Sequence, residues 1–230
     1  MRKPSRPSRH REAVRGSGRE DVYEFDIFLS YRRRGPALDW VNNHFFPKLR
    51  GWLEQYWPED LGRESGRPRL AKDDEMEAGS RWPASLRKMH AGSKVMLAVL
   101  SQEYFRSSWC LAEWEAMRLR ERKLGMRTKG LIYPVLFCGD PSDLPRDAST
   151  RQCVDFSAMN TPDEIFRKHA SYVEFDRAMQ TVARDVVAMV RRAPPRGRWP
   201  VLTTPPSPSR VRALLPRLAP VANAKHKRKA

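Results

Sequence analysis

Short apolar runs alternate along the chain with longer stretches in which apolar residues recur every three or four positions. The runs at 25–31 and 94–101 are continuous and rich in β-branched and aromatic residues, which is typical of buried strands. Weaker runs at 67–72, 130–137 and 153–156 complete a pattern of five candidate strands. Pro134 lies inside the fourth run. Because proline lacks an N–H for the ladder, we expect an edge strand or a bulge there.

Helical periodicity fills the segments between these runs. The first amphipathic helix is predicted from the spacing of Leu38, Val41, Phe45, Leu49, Trp52 and Tyr56. A second is predicted from Ser80, as its N-cap, to about residue 91. A third is predicted over 109–123 with Ser108 as its N-cap, and a long C-terminal helix over 175–189.

Strands that alternate with helices predict an α/β fold, with a doubly wound parallel sheet and helices on both faces. Ligands of such folds bind beyond the carboxyl ends of the strands. The segments where chemistry is expected are therefore 31–37, 73–81, 101–109 and 138–151.

The charge is concentrated at the two ends of the chain. The net charge is +17 over 230 residues. Residues 1–22 hold seven basic and three acidic residues, and residues 193–230 hold nine basic residues, no acidic residue and many prolines. We expect two disordered basic tails that flank one domain over 23–192. The excess arginine fits either the composition of a high-GC bacterial genome or non-specific nucleic-acid contact by the tails, which salt would weaken.

Several protein classes are disfavoured by what the sequence lacks. The three cysteines stand far apart without a CxxC pair or a histidine cluster, so neither a disulfide scaffold nor a zinc site is expected. The apolar run at 95–100 is far shorter than a membrane span, and no signal peptide is recognised at the N-terminus. We expect a cytoplasmic protein without membrane contact. GxGxxG, Walker A and GxSxG motifs are absent as well.

The loop after the first strand carries three consecutive arginines, at 32–34. Guanidinium groups at the carboxyl end of a strand can bind a phosphate or pyrophosphate through paired hydrogen bonds. The alternative is a solvated turn without a ligand.

Trp109 and Glu113 stand four residues apart on the predicted third helix, so they project from one helix face. An indole can stack on a heteroaromatic base, and a carboxylate can stabilise positive charge that develops on a sugar carbon. The alternative is that Trp109 and Trp114 belong to the core and that Glu113 is an ordinary surface residue.

Three sequence blocks together resemble the TIR (Toll/interleukin-1 receptor) domain family. They are the segment 26–32, the loop 73–79 followed by Trp82, and the segment 97–113. The blocks occur in the family's order and spacing, and the resemblance extends over residues 23–192. Its most specific element is the Ser-x-Trp-Cys-x-x-Glu pattern formed by Ser107, Trp109, Cys110 and Glu113.

The resemblance implies a flavodoxin-like sheet of about five parallel strands. It also implies the activity of the family's enzymes, which cleave the nicotinamide–ribose bond of NAD. Glu113 would be the catalytic carboxylate. Either Asp73 or Asp74 matches the family's aspartate in the loop 73–79, and we place Asp74 in the substrate-binding set. That expected set is Phe28, Ser30, Tyr31, Arg32, Arg33, Asp74, Trp82 and Trp109. NAD would be the substrate, so neither a cofactor nor a metal is expected.

The resemblance further implies that the loop 73–79 gates the pocket and mediates self-association or binding to other TIR domains. Many bacterial members defend against phage by depleting NAD or by producing a cyclic ADP-ribose signal. Because the C-terminal tail is too short for a sensor domain, activation by a separate partner or by assembly is expected. The competing hypothesis is a non-catalytic TIR adaptor that signals through TIR–TIR contacts.

Overall fold

Five parallel strands form the centre of the structure, a computed structural model that describes residues 22–61, 66–72, 82–126 and 130–197. The strand order is β2-β1-β3-β4-β5, the order of flavodoxin-like folds, so the predicted fold class is confirmed. The strands are β1 (Phe25–Tyr31), β2 (Leu70–Ala71), β3 (Ser93–Leu100), β4 (Ile132–Leu136) and β5 (Val154–Asp155).

The two longest strands, β1 and β3, are those with the continuous apolar runs. They pair from Phe25 opposite Ser93 to Tyr31 opposite Val99, and nearly all of their residues are buried. The edge strands β2 and β5 have two residues each, fewer than the runs at 67–72 and 153–156 predict. Each edge strand pairs with a single neighbour at two positions, which limits its length.

Pro134 lies in β4, which pairs with β3 on one side and with β5 on the other. The expectation of an edge strand is therefore wrong for β4 as a whole, and its register with β3 is continuous, so there is no bulge either. The proline is tolerated because the pairing with β5 begins only at Val135. At Pro134 the strand has a neighbour on the β3 side alone, and no ladder hydrogen bond is lost.

Seven helices surround the sheet within the described residues. They are α1 (Pro36–Trp40), α2 (Phe46–Tyr56), α3 (Trp82–Ala91), α4 (Gln102–Arg106), α5 (Ser108–Lys123), α6 (Arg146–Ser149) and α7 (Ser171–Arg192). A π-helical segment, Val41–Phe45, joins α1 to α2, so the first amphipathic helix is continuous over 36–56. The N-cap of α5 is Ser107 rather than the predicted Ser108, because the Ser107 hydroxyl accepts from the Cys110 N–H.

The helices pack on both faces of the sheet. On one face α2 packs against α7, where the Trp52 indole and the Lys48 ammonium group both contact the carboxylate of Asp176. An aromatic cluster around Trp40 and Phe175 fills the space between these helices and the sheet. On the other face α3 and α5 pack against β1, and this second face carries the candidate site.

Several sequence-based expectations lie outside the described residues. These are the tails over 1–21 and 198–230, the loop 73–79 with Asp74, the proposed cap Ser80 and the side chain of Trp82. In the part of the chain that the structure does describe, no helix has the length and hydrophobicity that a membrane span requires.

Candidate functional site

Glu113 lies in α5, on the helix face that is turned toward β1. The Ser107 cap starts this helix at the carboxyl end of the sheet, where ligands of doubly wound folds bind. The residue is 1% exposed, so its carboxylate is withdrawn from bulk solvent. An ionised carboxylate at such a position requires partners that replace its lost hydration.

Two side chains from β1 and its following loop contact the Glu113 carboxylate. The Ser30 hydroxyl donates a hydrogen bond of 2.5 Å to Oε2. The Arg33 guanidinium lies 3.4 Å from Oε1, a long contact for an ion pair. These two contacts differ in kind: a short neutral hydrogen bond is made to Oε2, and a more distant positive charge lies near Oε1.

Tyr104, from α4, extends this arrangement by one more hydroxyl. Its phenolic oxygen lies 2.7 Å from Ser30 Oγ. Burial, together with the nearby Cys110 and Glu113, raises the pKa of Tyr104 well above its ordinary value, so the phenol remains protonated. Both hydroxyls are buried, at 0% exposure for Tyr104 and 1% for Ser30.

His90, at the end of α3, fixes the backbone behind the carboxylate. Its Nε2 lies 3.0 Å from the backbone oxygen of Glu113, and its ring makes an edge contact with Phe28. Burial, with a smaller contribution from the charge of Arg120, lowers the pKa of His90 to about 4. The imidazole is therefore neutral at physiological pH and donates through Nε2.

A cavity of about 370 Å³ opens beside these residues at the carboxyl end of the sheet. Its walls come from the loop after β1 and from the start of α5, and they are lined by Tyr31, Arg32, Arg33, Arg34, Arg106, Ser107, Ser108, Trp109 and Cys110. Four of these nine residues are arginines. Glu103 forms ion pairs with two of them, Arg32 at 3.8 Å and Arg106 at 2.5 Å.

The cavity separates the expected site residues into two groups. Tyr31, Arg32, Arg33 and Trp109 line it. Phe28, Ser30 and Glu113 are not among its lining residues and are buried behind it. Arg33 connects the two groups, since it lines the cavity and contacts the Glu113 carboxylate.

Sequence reasoning did not assign a role to Tyr104, His90 or Arg106, whereas Arg34 belongs to the predicted phosphate-binding run 32–34. Tyr104 and Arg106 stand inside the segment 97–113, so their proximity to Glu113 along the chain was the available signal. His90 lies 23 residues before Glu113 in a different helix, and no spacing rule connects the two.

Cys110 lines the cavity but has no nucleophilic character. Its thiol donates to the backbone oxygen of Tyr31 at 3.5 Å. Burial, reinforced by the charge of Glu113, raises the pKa of Cys110 to about 12, so the thiolate is not formed at neutral pH.

The arrangement combines phosphate-binding groups with one recessed carboxylate. Arginines bind phosphate oxygens through paired hydrogen bonds, and the Trp109 indole offers a stacking surface. A carboxylate in a water-poor site stabilises a nearby cation more strongly than it would in water. The described residues contain no group of three or more acidic, cysteine or histidine side chains placed to hold a metal ion.

A second cavity, of about 420 Å³, lies between α5, β4, α6 and α7. Its charged groups neutralise one another, since Arg151 pairs with Glu121 at 2.7 Å and with Asp147 at 3.7 Å. The paired charges indicate a structural role, and the first cavity is the better candidate for a functional site.

Comparisons with known proteins identify the family. The TIR domain model of a protein-family scan matches residues 27–170. A search of curated proteins finds no match. The chain is similar to the TIR domains of the activated Roq1 resistosome that directly recognises the pathogen effector XopQ, with 19% identity, coverage of 74% of this chain and 96% of that chain, and a TM-score of 0.38. It is also similar to the TIR domain of the Toll-related receptor TRR-2 from Hydra magnipapillata, with 14% identity, coverage of 66% and 98%, and a TM-score of 0.38. The family model covers more than half of the sequence, and on this ground the chain belongs to the TIR domain family.

Proposed function

We propose that this TIR domain protein cleaves the nicotinamide–ribose bond of NAD and that Glu113 is its catalytic carboxylate. The observation that carries the proposal is the recessed Glu113 carboxylate beside a cavity lined by four arginines, with Arg33 in contact with both. The cavity supplies groups for a pyrophosphate, and the carboxylate supplies a negative charge for the sugar carbon next to it.

In the proposed reaction the bond between the ribose carbon and the pyridine nitrogen breaks, and its electron pair leaves with the nitrogen. Nicotinamide departs as a neutral molecule, so the leaving group requires no general acid. Positive charge develops on the ribose, and Glu113 stabilises that charge. Addition of water, with release of one proton to solvent, gives linear ADP-ribose, and attack by a nitrogen of the substrate's own adenine gives a cyclic product.

The resting geometry is consistent with an enzyme that requires activation. Glu113 is 1% exposed, and Arg33 both contacts its Oε1 and lines the cavity. A substrate whose pyrophosphate attracts Arg33 would open the path to the carboxylate. We propose that a partner, or self-association through the loop 73–79, favours this opening, and that the activity serves bacterial anti-phage defence. The last point rests on the family resemblance.

The test is nicotinamide release from NAD at high protein concentration, with and without a crowding agent, for the wild type and for Glu113→Gln. We expect release by the wild type and a loss of about 10²- to 10³-fold or more in the variant. The matched control is Glu115→Gln, which changes a partly exposed glutamate of the same helix that pairs with Arg118. Normal turnover by a folded Glu113→Gln protein would refute the catalytic assignment.

A second candidate function, a non-catalytic TIR–TIR interaction module, is favoured by the same burial. Ser30 and Arg33 both contact the Glu113 carboxylate, so this side chain could serve only to join α5 to β1. In that case Glu113→Gln would lower the melting temperature, and no protein concentration or crowding agent would produce nicotinamide. Binding of a second TIR domain would then be the property to measure.

A further inference from the structure

We infer that Ser30 and Tyr104 are positioning residues that hold Oε2 of Glu113 and so orient this carboxylate toward the substrate. The inference rests on the proposed function of Glu113. It assigns to Ser30 a task other than the substrate contact expected from the sequence, and it assigns a task to Tyr104 for the first time.

The direction of the hydrogen bonds follows from the donors that are present. An ionised carboxylate only accepts, so the single hydroxyl proton of Ser30 is donated to Glu113 Oε2 at 2.5 Å. Ser30 Oγ then accepts from the Tyr104 hydroxyl at 2.7 Å. The result is a relay of two donors, Tyr104 to Ser30 to Glu113, that ends on one carboxylate oxygen.

Burial makes this relay rigid. Tyr104, Ser30 and Glu113 are each no more than 1% exposed, so water does not compete for their hydrogen bonds. The Tyr104 ring is held edge-on by Phe105 at 5.1 Å and by Trp114 at 6.4 Å. Ser30 is held by the pairing of β1 with β3.

The relay meets only one of the two oxygens. Oε2 is bound from the β1 side by Ser30, whereas Oε1 faces Arg33, a residue of the cavity wall. Without the relay the carboxylate would lose the contact that fixes Oε2. A misplacement of about 1 Å lowers the rate of an enzymatic step by up to about 10²-fold. Ser30 and Tyr104 do not line the cavity, so substrate binding should be nearly unaffected.

Hydrogen bonds donated to a carboxylate also favour its ionised form. The pH dependence of kcat therefore reports whether Ser30 and Tyr104 act on the Glu113 carboxylate. Among the described residues, the titratable or charged groups that face Glu113 come from β1, its following loop, α3, α4 and α5. They are Arg33, His90, Tyr104 and Cys110, and Ser30 is the neutral donor among them.

The experiment compares Tyr104→Phe and Ser30→Ala with the wild type in NAD cleavage. We expect kcat to fall about 10- to 100-fold with KM within about twofold, and the acid limb of the kcat profile to move to higher pH. The double variant should be no slower than Ser30→Ala, because Tyr104 acts through Ser30. The matched control is Tyr133→Phe, which removes another tyrosine hydroxyl bound to a carboxylate, that of Asp185 at 2.8 Å, and should leave kcat unchanged.

Each outcome has a defined meaning. If Glu113→Gln is inactive while Tyr104→Phe keeps the wild-type kcat and pH profile, the relay has no positioning role and the proposed function stands. If the wild type shows no activity that depends on Glu113, the proposed function fails, and the catalytic positioning role of the relay fails with it. The relay itself is tested by urea unfolding of Ser30→Ala, Tyr104→Phe and the double variant. Coupled losses of stability support it, and strictly additive losses overturn it.

Discussion

Glu121 lies on the same helix as Glu113. Its substitution tests how much a buried carboxylate contributes to the stability of the fold. It is 5% exposed. Its Oε1 accepts from the backbone N–H groups of Leu131 and Ile132, at 2.6 and 3.2 Å. Arg151 donates to both of its oxygens, at 3.0 and 2.7 Å. The side chain thus joins α5 to the start of β4 and to the segment that follows α6.

The change Glu121→Gln removes the charge and one of the acceptors but preserves the shape. Loss of one partner of a buried ion pair costs about 3–5 kcal/mol when the remaining charge is left alone. Arg151 retains Asp147 at 3.7 Å, and 21% of its side chain is exposed, so we expect a smaller loss of about 2–3 kcal/mol. For a domain of this size that corresponds to a melting temperature lower by about 4–12 °C.

The assay is urea and thermal unfolding followed by circular dichroism, with Glu115→Gln as the exposed control. Glu115 pairs with Arg118 on the helix surface, so its substitution should change the free energy of unfolding by about 0.5 kcal/mol or less. Glu121→Gln should also retain NAD cleavage at temperatures where it is folded. A stability within about 0.5 kcal/mol of the wild type would refute the reasoning, because the pair would then contribute no more than a surface pair does.

Two further predictions concern pH and the basic tails. Because burial lowers the pKa of His90 from 6.5 to about 4, the unfolded chain binds a proton that the folded chain does not, and the protein should lose about 2 kcal/mol of stability between about pH 7.5 and 5. Unfolding of His90→Gln over this range should show a correspondingly flatter pH dependence, and an unchanged slope would contradict it. Deletion of residues 198–230, which hold eight basic and no acidic residues, should abolish most DNA retention at about 50 mM salt, and retention should already be weak at about 200 mM salt in the full chain. Equal retention by both proteins would exclude the tail as the binding element.

The centre of the fold was predictable because β1 and β3 are buried on both faces. In the sequence such strands are continuous apolar runs, because no solvent-exposed face introduces alternating polar residues. The short edge strands β2 and β5 depend on pairing at two positions with one neighbour, which the local sequence does not encode. The local sequence also does not show that β4 can contain Pro134. The proline is accommodated because the pairing with β5 begins one residue later, at Val135.

The sequence indicated which residues come together near the candidate site, but it did not indicate how deeply each of them is buried. The four-residue spacing of Trp109 and Glu113 correctly predicted a common helix. Only the tertiary structure shows that Trp109 lines the cavity while Glu113 is buried behind it. The contact of Ser30 with Glu113 joins residues 83 positions apart, and neither propensity nor spacing can predict such a pair.

Three buried carboxylates of the described residues can be compared by their surroundings. Asp26, 2% exposed, is bound by Lys94 at 2.8 Å and by the backbone N–H of Arg69 at 3.0 Å, with the Arg69 guanidinium at 3.3 Å. Glu121 has four donors within 3.2 Å. The only cation within 4 Å of Glu113 among the described side chains is Arg33, at 3.4 Å, and Arg33 also belongs to a cavity wall. Arg33 shares that wall with three further arginines, a concentration of positive charge that fits the pyrophosphate of the proposed substrate. The surroundings of Glu113, rather than the number of its own partners, therefore distinguish it from Asp26 and Glu121.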